Sequence, residues 1–336
     1  MRRSISRTAL IAWAAAGAFL SASAHAQEHA PTLWERALDP ARSEAERQAH
    51  REAQLYFADA QQQRSTSQLG QEQISKAMHV LDEVHADTSP DVRLRFDAGY
   101  ALSMLGEYDR AAPVLESALR DGPDHPRATE GYFQVAICYA KQYRPEEEIQ
   151  AYDEFLRRET DSGSRAQALS NRGEAQMLIG RLTPAIADYR ASLVLEPDSP
   201  LTHWGLAVAL DRNGDMPGAL TEANTAITYD PLDQRLESSD VFFMPPYDRY
   251  WYEGIGAMAR AGAIDDAATS TLWWETAVGK WRDYIGLATS DDRWLALAKA
   301  HLASCDQKLT KAQKRASQAA KASDGAKKRK GGGDAP

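Results

Sequence analysis

The chain is 336 residues long, 43% apolar, and carries 48 acidic against 39 basic side chains, a formal net charge of −9. The charge is uneven: residues 1–26 hold three arginines and no acid, residues 307–336 hold nine basic residues and two acids, and residues 27–306 are left with −19. The apolar share is ample for a packed fold, and an acidic body repels phosphate, which excludes a nucleic-acid groove there.

At the N-terminus Arg2, Arg3 and Arg7 precede an apolar run, Thr8 to Leu20, and a small-x-small site, Ala24-His25-Ala26, before Gln27. This three-part order predicts a secretory signal peptide over residues 1–26, cleaved near Ala26, and hence an exported, periplasmic protein. The apolar run falls short of the ~20 residues that span a bilayer, and no later segment approaches that length, so the mature chain is expected to lack a transmembrane segment. Residues 27–45 read as a linker. Residues 46–90 follow as a first helix pair, with apolar spacing at Ala53, Tyr56, Phe57 and Ala60, then at Ile74, Ala77, Leu81 and Val84.

From there small and turn residues recur at fixed offsets. Gly99, Gly106, Ala111 and Pro123 return 74 residues later as Gly173, Gly180, Ala185 and Pro197, and Ala207, Gly214, Ala219 and Pro231 follow 34 residues after those. A period near ~34 is that of a helix-turn-helix array, in which each pair buries its face against its neighbours. The units lie at 92–125, 129–162, 166–199 and 200–233. The second of them is degenerate: Glu148 stands where its neighbours have Ala, and Phe155 replaces Ala118 and Ala226. Residues 234–304 read as an atypical closing unit, with one helix in Tyr250–Gly262, an extra segment of roughly ten residues bearing Trp273 and Trp274, and two further helices. Residues 306–336, rich in Lys, Ala, Ser and Gln, read as a basic disordered tail. Cys138 and Cys305 fall several repeats apart and are expected as two separate thiols.

These residues resemble the tetratricopeptide repeat family. Gly99 and Ala111 fill its close-approach slots, Gly106-Glu107-Tyr108 its turn, and Ala118 and Pro123 the end of its second helix; Leu206-Ala207, Gly214, Ala219, Ala226 and Pro231 repeat the plan. The resemblance implies an all-α, right-handed solenoid of antiparallel helix pairs, about five to six repeats. It implies a groove lined by first helices, in which Phe96, Tyr100, Phe133, Ile137, Trp204 and Arg212 are the expected partner contacts. Family members that clamp a chaperone's terminal carboxylate place Lys and Asn in these slots. The aromatic and aliphatic residues here point instead to a peptide or domain with apolar anchors.

Trp273 and Trp274 are a further candidate, as an aromatic platform, within an aromatic-rich segment, 242–294, that also suits the core of a cap. Gly254-Ile-Gly256 looks like part of a dinucleotide fingerprint but sits in a helical pattern with no preceding strand, so helix packing is the reading. No HExxH, no nucleophile elbow and no His/Cys cluster is present, so no metal, cofactor or catalytic residue is assigned. The expected function is a non-enzymatic scaffold that binds a protein or peptide partner in its groove. The other reading is a structural component of an envelope secretion, motility or outer-membrane assembly complex, with the basic tail contacting an anionic envelope surface.

Overall fold

A computed structural model describes residues 40–238, 241 and 243–330; residues 1–26, expected as a signal peptide, residues 27–39 of the linker, Phe242 and the last residues of the tail, 331–336, lie outside the described residues. Those described form thirteen α-helices and two short 3-10 turns, and no strand. They divide into two compact units at Gly180/Arg181.

The first unit contains α1 (Pro40–Gln62), α2 (Gln68–Glu83), α3 (Val92–Met104), α4 (Tyr108–Asp121), α5 (Ala128–Lys141), α6 (Pro145–Arg158) and α7 (Ser162–Leu178). Helices 1 and 2, 3 and 4, and 5 and 6 pack as hairpins, and α7 covers α6. Ser67, Asp91 and Asp161 start α2, α3 and α7 by accepting backbone N–H bonds from Gly70, Arg93 and Ser164, each satisfying a donor the first turn leaves open. Within a hairpin the helices touch where side chains vanish: a Cβ on Gly99 would lie 2.6 Å from the Leu115 side chain. Ala53, Phe57, Ala60, Ile74, Ala77 and Leu81 are all buried, as their spacing predicts. Asp97, fully buried, joins three elements, accepting from Gln54 Nε2 at 2.8 Å, pairing with His50 Nδ1 at 2.5 Å and with Arg127. α1 begins at Pro40, so the last residues assigned to the linker, 40–45, are helical.

The degenerate repeat keeps the hairpin by other means. Phe155 fills the space its neighbours close with alanine and meets Phe133 at 5.0 Å between ring centroids. The turn slot taken by Gly106, Gly180 and Gly214, at φ +78°, +81° and +88°, belongs here to Tyr143, at φ +61°. A left-handed backbone is free of cost for glycine and not for tyrosine.

The second unit contains α8 (Leu182–Leu195), α9 (Pro200–Arg212), α10 (Met216–Tyr229), α11 (Arg249–Ala263), α12 (Ala267–Leu287) and α13 (Leu295–Lys330). The repeat at 166–199 is therefore shared, its first helix in one unit and its second in the other. Two expectations are corrected. The extra length of the closing unit lies before α11, in residues 230–248, rather than after it; Asp266 caps α12 through Thr269 N, so Trp273 and Trp274 sit on a helix and not on an insert. The segment from residue 306 is helical as far as Lys330, because Ala, Lys, Gln and Arg are strong helix formers and Ala298, His301, Cys305 and Ala312 anchor its buried stripe.

Candidate partner-binding cleft

The residues expected in the groove are occupied in packing. Phe96 stacks on the His125 ring at 5.2 Å and lies 2.6 Å from where a Cβ on Gly131 would project, which places it between α3 and α5. Tyr100 meets Phe57 edge-on at 4.9 Å, and Phe133 packs against Tyr152 and Phe155. Ile137 is buried in the same core. A first helix must also seat against its neighbours: Phe96 faces the next hairpin, Tyr100 the preceding one, and Phe133 the second helix of its own.

In the second unit Arg212 is equally enclosed. It bonds Asp248 at 2.5 Å, and its guanidinium lies over the rings of Trp251 at 4.7 Å and Trp294 at 5.1 Å. Burial pushes the Asp248 carboxyl above its ordinary range, against the pull of Arg212. Beside it one oxygen of Asp211, Oδ2, accepts from Trp251 Nε1 at 2.8 Å and from His301 Nε2 at 3.0 Å. A carboxylate oxygen that takes two contacts accepts in both, so His301 Nε2 is the donor here. Trp251 packs edge-on against Trp281, Tyr284 and His301, while Tyr247 and Tyr284 both donate to Asp292. The aromatic concentration is thus mainly a cap core that ties α9, α11, α12 and α13 together. Trp274 belongs with it, buried, with Lys308 Nζ 4.8 Å from its ring centroid, and offers no platform.

Trp204 and Trp273 do come together. Both line a cleft of about 210 Å³ in the second unit, walled by α11, α12 and the segment after α10. Gly256 lets α11 approach: a Cβ there would lie 2.9 Å from Trp204 Cη2, and Gly254 makes the same room for Trp281. The glycine pair therefore serves helix packing. The cleft's charges are matched. Arg260 bonds Asp233 Oδ2 at 2.7 Å and covers Trp273, Arg249 bonds Glu253 at 2.5 Å, and Lys280 pairs with Glu253 at 2.8 Å. Three buried polar atoms around the cleft make no hydrogen bond, the Trp204 indole Nε1, Asp233 Oδ1 and Glu253 Oε2, and of these Glu253 Oε2 is ion-paired with Lys280. Asp233, Glu253, Arg260 and Lys280 are not legible as a cluster in the sequence, because the extra length before α11, and not the repeat spacing, brings them together.

Among the described residues no group of His, Cys, Asp and Glu is placed to hold a metal ion, and no helix is long and apolar enough to cross a membrane. Both cysteines are free and buried, and burial raises the Cys138 thiol to about 12 and that of Cys305 to about 11.

Stacked antiparallel helix hairpins, with small residues at the crossings of the regular repeats, define an all-α helical-repeat protein of the solenoid class. The sequence profile described as tetratricopeptide repeat matches at residues 63–126, 96–164, 149–200 and 179–233, which together cover 63–233, just over half of the chain. The protein belongs to the tetratricopeptide repeat family. No curated protein matches it. Solved structures similar to it include "MamA AMB-1 C2221", at 19% identity and a TM-score of 0.47 over 57% of this chain and all of that one. Another is "MamA 41-end from Desulfovibrio magneticus RS-1", at 21% identity and 0.43 over 56% of this chain and 98% of that one.

Proposed function

We propose that the protein is an exported scaffold that holds a polypeptide partner in the periplasm without covalent chemistry. The observation that carries this is the run of repeats itself, since a helical-repeat array presents side chains from successive hairpins to one partner. The arginine-led apolar N-terminus and its Ala24-His25-Ala26 site support export. Because Phe96, Tyr100, Phe133 and Ile137 are engaged in packing, the docking site is the cleft of the second unit, with Trp204 and Trp273 as its aromatic walls. The test is affinity capture from envelope extract with the mature chain and with Trp273→Ala, which removes a half-buried ring. A specific partner lost in the variant is the expected result. Equal recovery from a folded variant would reject the cleft, and a full-length chain retained in the cytoplasm would reject export.

A second reading, a fixed part of an envelope assembly, is favoured by α13. Past Ala312 its side chains are exposed nearly throughout to residue 322, with Lys314, Arg315 and Lys321 among them, a form suited to contact with an anionic envelope surface. Removal of residues 313–336 abolishes envelope association under this reading and leaves it intact under the first.

A further inference from the structure

We infer that Asn213-Gly214, in the turn between α9 and α10, is a concealed deamidation site: the closed cap keeps it unreactive, and opening of the end of α9 lets Asn213 convert irreversibly to aspartate and isoaspartate.

Asn171, Asn213 and Asn224 are the chain's asparagines, and only Asn213 precedes a glycine. With no side chain on residue 214, the amide nitrogen there is open to the side chain before it. In the reaction Gly214 N loses its proton to base and bonds to Asn213 Cγ. The Cγ–Nδ2 bond breaks, and Nδ2 leaves as ammonia. Water then opens the cyclic imide. Attack at Cγ gives aspartate; attack at the main-chain carbonyl carbon gives isoaspartate, in which the main chain runs through Cβ and Cγ. Neither an oxidant nor an enzyme is needed.

Asn213 is exposed, so water and base reach it, and burial is not what protects it. The backbone does. Ring closure needs Gly214 N eclipsed with Cβ about the Cα–C bond. At φ −85° and ψ 1° it is eclipsed instead with the nitrogen of Asn213 itself. Two bonds hold ψ there: Gly214 N–H donates to the Asp211 carbonyl at 2.8 Å, and Asp215 N–H to that of Leu210 at 2.8 Å. Both carbonyls lie at the end of α9, which the cap grips. The Asp211 side chain holds Trp251 and His301, and Asp248 holds Arg212. The reactive geometry is therefore reached through local opening of the cap, and conversion follows the open fraction. Isoaspartate adds a main-chain carbon beside Arg212, so the turn cannot re-form with its bonds in register. Opening then becomes permanent.

The experiment incubates the full chain in mildly alkaline buffer and follows residue 213 by peptide mass mapping and isoaspartyl methyltransferase labelling. Conversion should be at least about ten-fold slower in the native chain than in the chain unfolded in urea, a factor that modest protection supplies. Asp248→Ala, which strands Arg212, should convert faster than the wild type. Because that variant is destabilised, the wild type in urea below its unfolding midpoint gives a second reading, with conversion rising as urea rises. Asn171 and Asn224, inside α7 and α10, should stay unconverted in every folded sample. Chains converted while unfolded should refold with a lowered midpoint and faster hydrogen exchange along α13. Native conversion as fast as unfolded conversion would overturn the inference. So would conversion indifferent to urea below the midpoint, or a folded Asp248→Ala no faster than the wild type. Full recovery of the midpoint by the isoaspartate chain would overturn the claim that the change is permanent.

Discussion

Asp211 is the residue on which the closing unit depends, and its removal gives the sharpest test of the cap. It is 2% exposed, sits near the end of α9, and offers a single oxygen to Trp251 on α11 and His301 on α13. Asp211→Ala leaves two buried donors without an acceptor. Each costs about 1–3 kcal/mol, and relief of the carboxylate's own desolvation returns part, so the net loss should be about 3 kcal/mol. Asp211→Asn is the control: its carbonyl oxygen can occupy the position of Oδ2 and serve both donors, and it should cost under about 1 kcal/mol. Guanidinium unfolding read by tryptophan fluorescence gives the free energies, because Trp251 and Trp281 lie in the affected core. Hydrogen exchange gives the location, with faster exchange along α13 and no change in α1 to α6, as expected where each hairpin depends on its neighbours. A loss below about 1 kcal/mol in Asp211→Ala, or equal losses in the two variants, would refute the account of the cap as a lock of buried donors on one oxygen.

Other expectations concern the first unit and the thiols. Phe155→Ala restores the repeat's usual residue at a site now built around a ring; it should cost about 3–5 kcal/mol by urea unfolding, because the backbone cannot close the cavity. Tyr143→Gly should stabilise by about 0.5–1 kcal/mol, since the gain at φ +61° exceeds glycine's entropic cost, and a lower melting temperature would count against a strained turn. Burial, then the nearby Glu174, raises the Glu148 pKa well above 4.5. The native state therefore holds a proton that the unfolded chain has released. The stability this group confers is complete below its unfolded pKa and falls as pH rises toward the folded one, by at most about 1.4 kcal/mol per pH unit. Glu148→Gln should remove that slope in unfolding curves taken across the range. Cys138 and Cys305 should resist a thiol reagent at about neutral pH in the native chain and react together on unfolding, as buried thiols with raised pKa values do.

The repeat was legible because it obeys one local rule many times over. Gly99, Ala111, Ala118 and their counterparts mark helix crossings, where only small side chains fit, and Gly106, Gly180 and Gly214 mark turns of positive φ. Side-chain destinations were less legible. Phe96 and Tyr100 occupy first-helix slots that border both the groove and a neighbouring hairpin, the next one for Phe96 and the preceding one for Tyr100, and slot position alone does not choose between groove and packing. Arg212 reads as a groove contact until Asp248, 36 residues on, is brought beneath it by an irregular segment. The helical continuation beyond residue 306 was missed because composition reports the absence of a core, whereas a helix anchored at one end needs only good propensity to run on.

The position of the cleft follows from the same irregularity. A regular repeat spends a short loop between its second helix and the next first helix, which leaves no wall for a pocket. Residues 230–248 interrupt that economy. They carry Asp248 inward to Arg212, which secures the cap, and they set Asp233 and Glu237 along the outer edge of α11, where Arg260 and Arg249 meet them. One insertion thus supplies both the lock that holds the closing helices and the acidic rim of the cleft. It follows that Arg260→Ala, which unpairs Asp233 at a site 26% exposed to water while leaving Arg212 and Asp248 paired, should alter binding in the cleft with a smaller loss of stability than breaking the inner pair. Asp248→Ala should do the reverse, destabilising by about 3–5 kcal/mol because it strands the Arg212 charge in the core. Comparison of the two by unfolding and by peptide titration separates the roles; a binding defect and a stability defect that always travel together would mean that the segment has one role and not two.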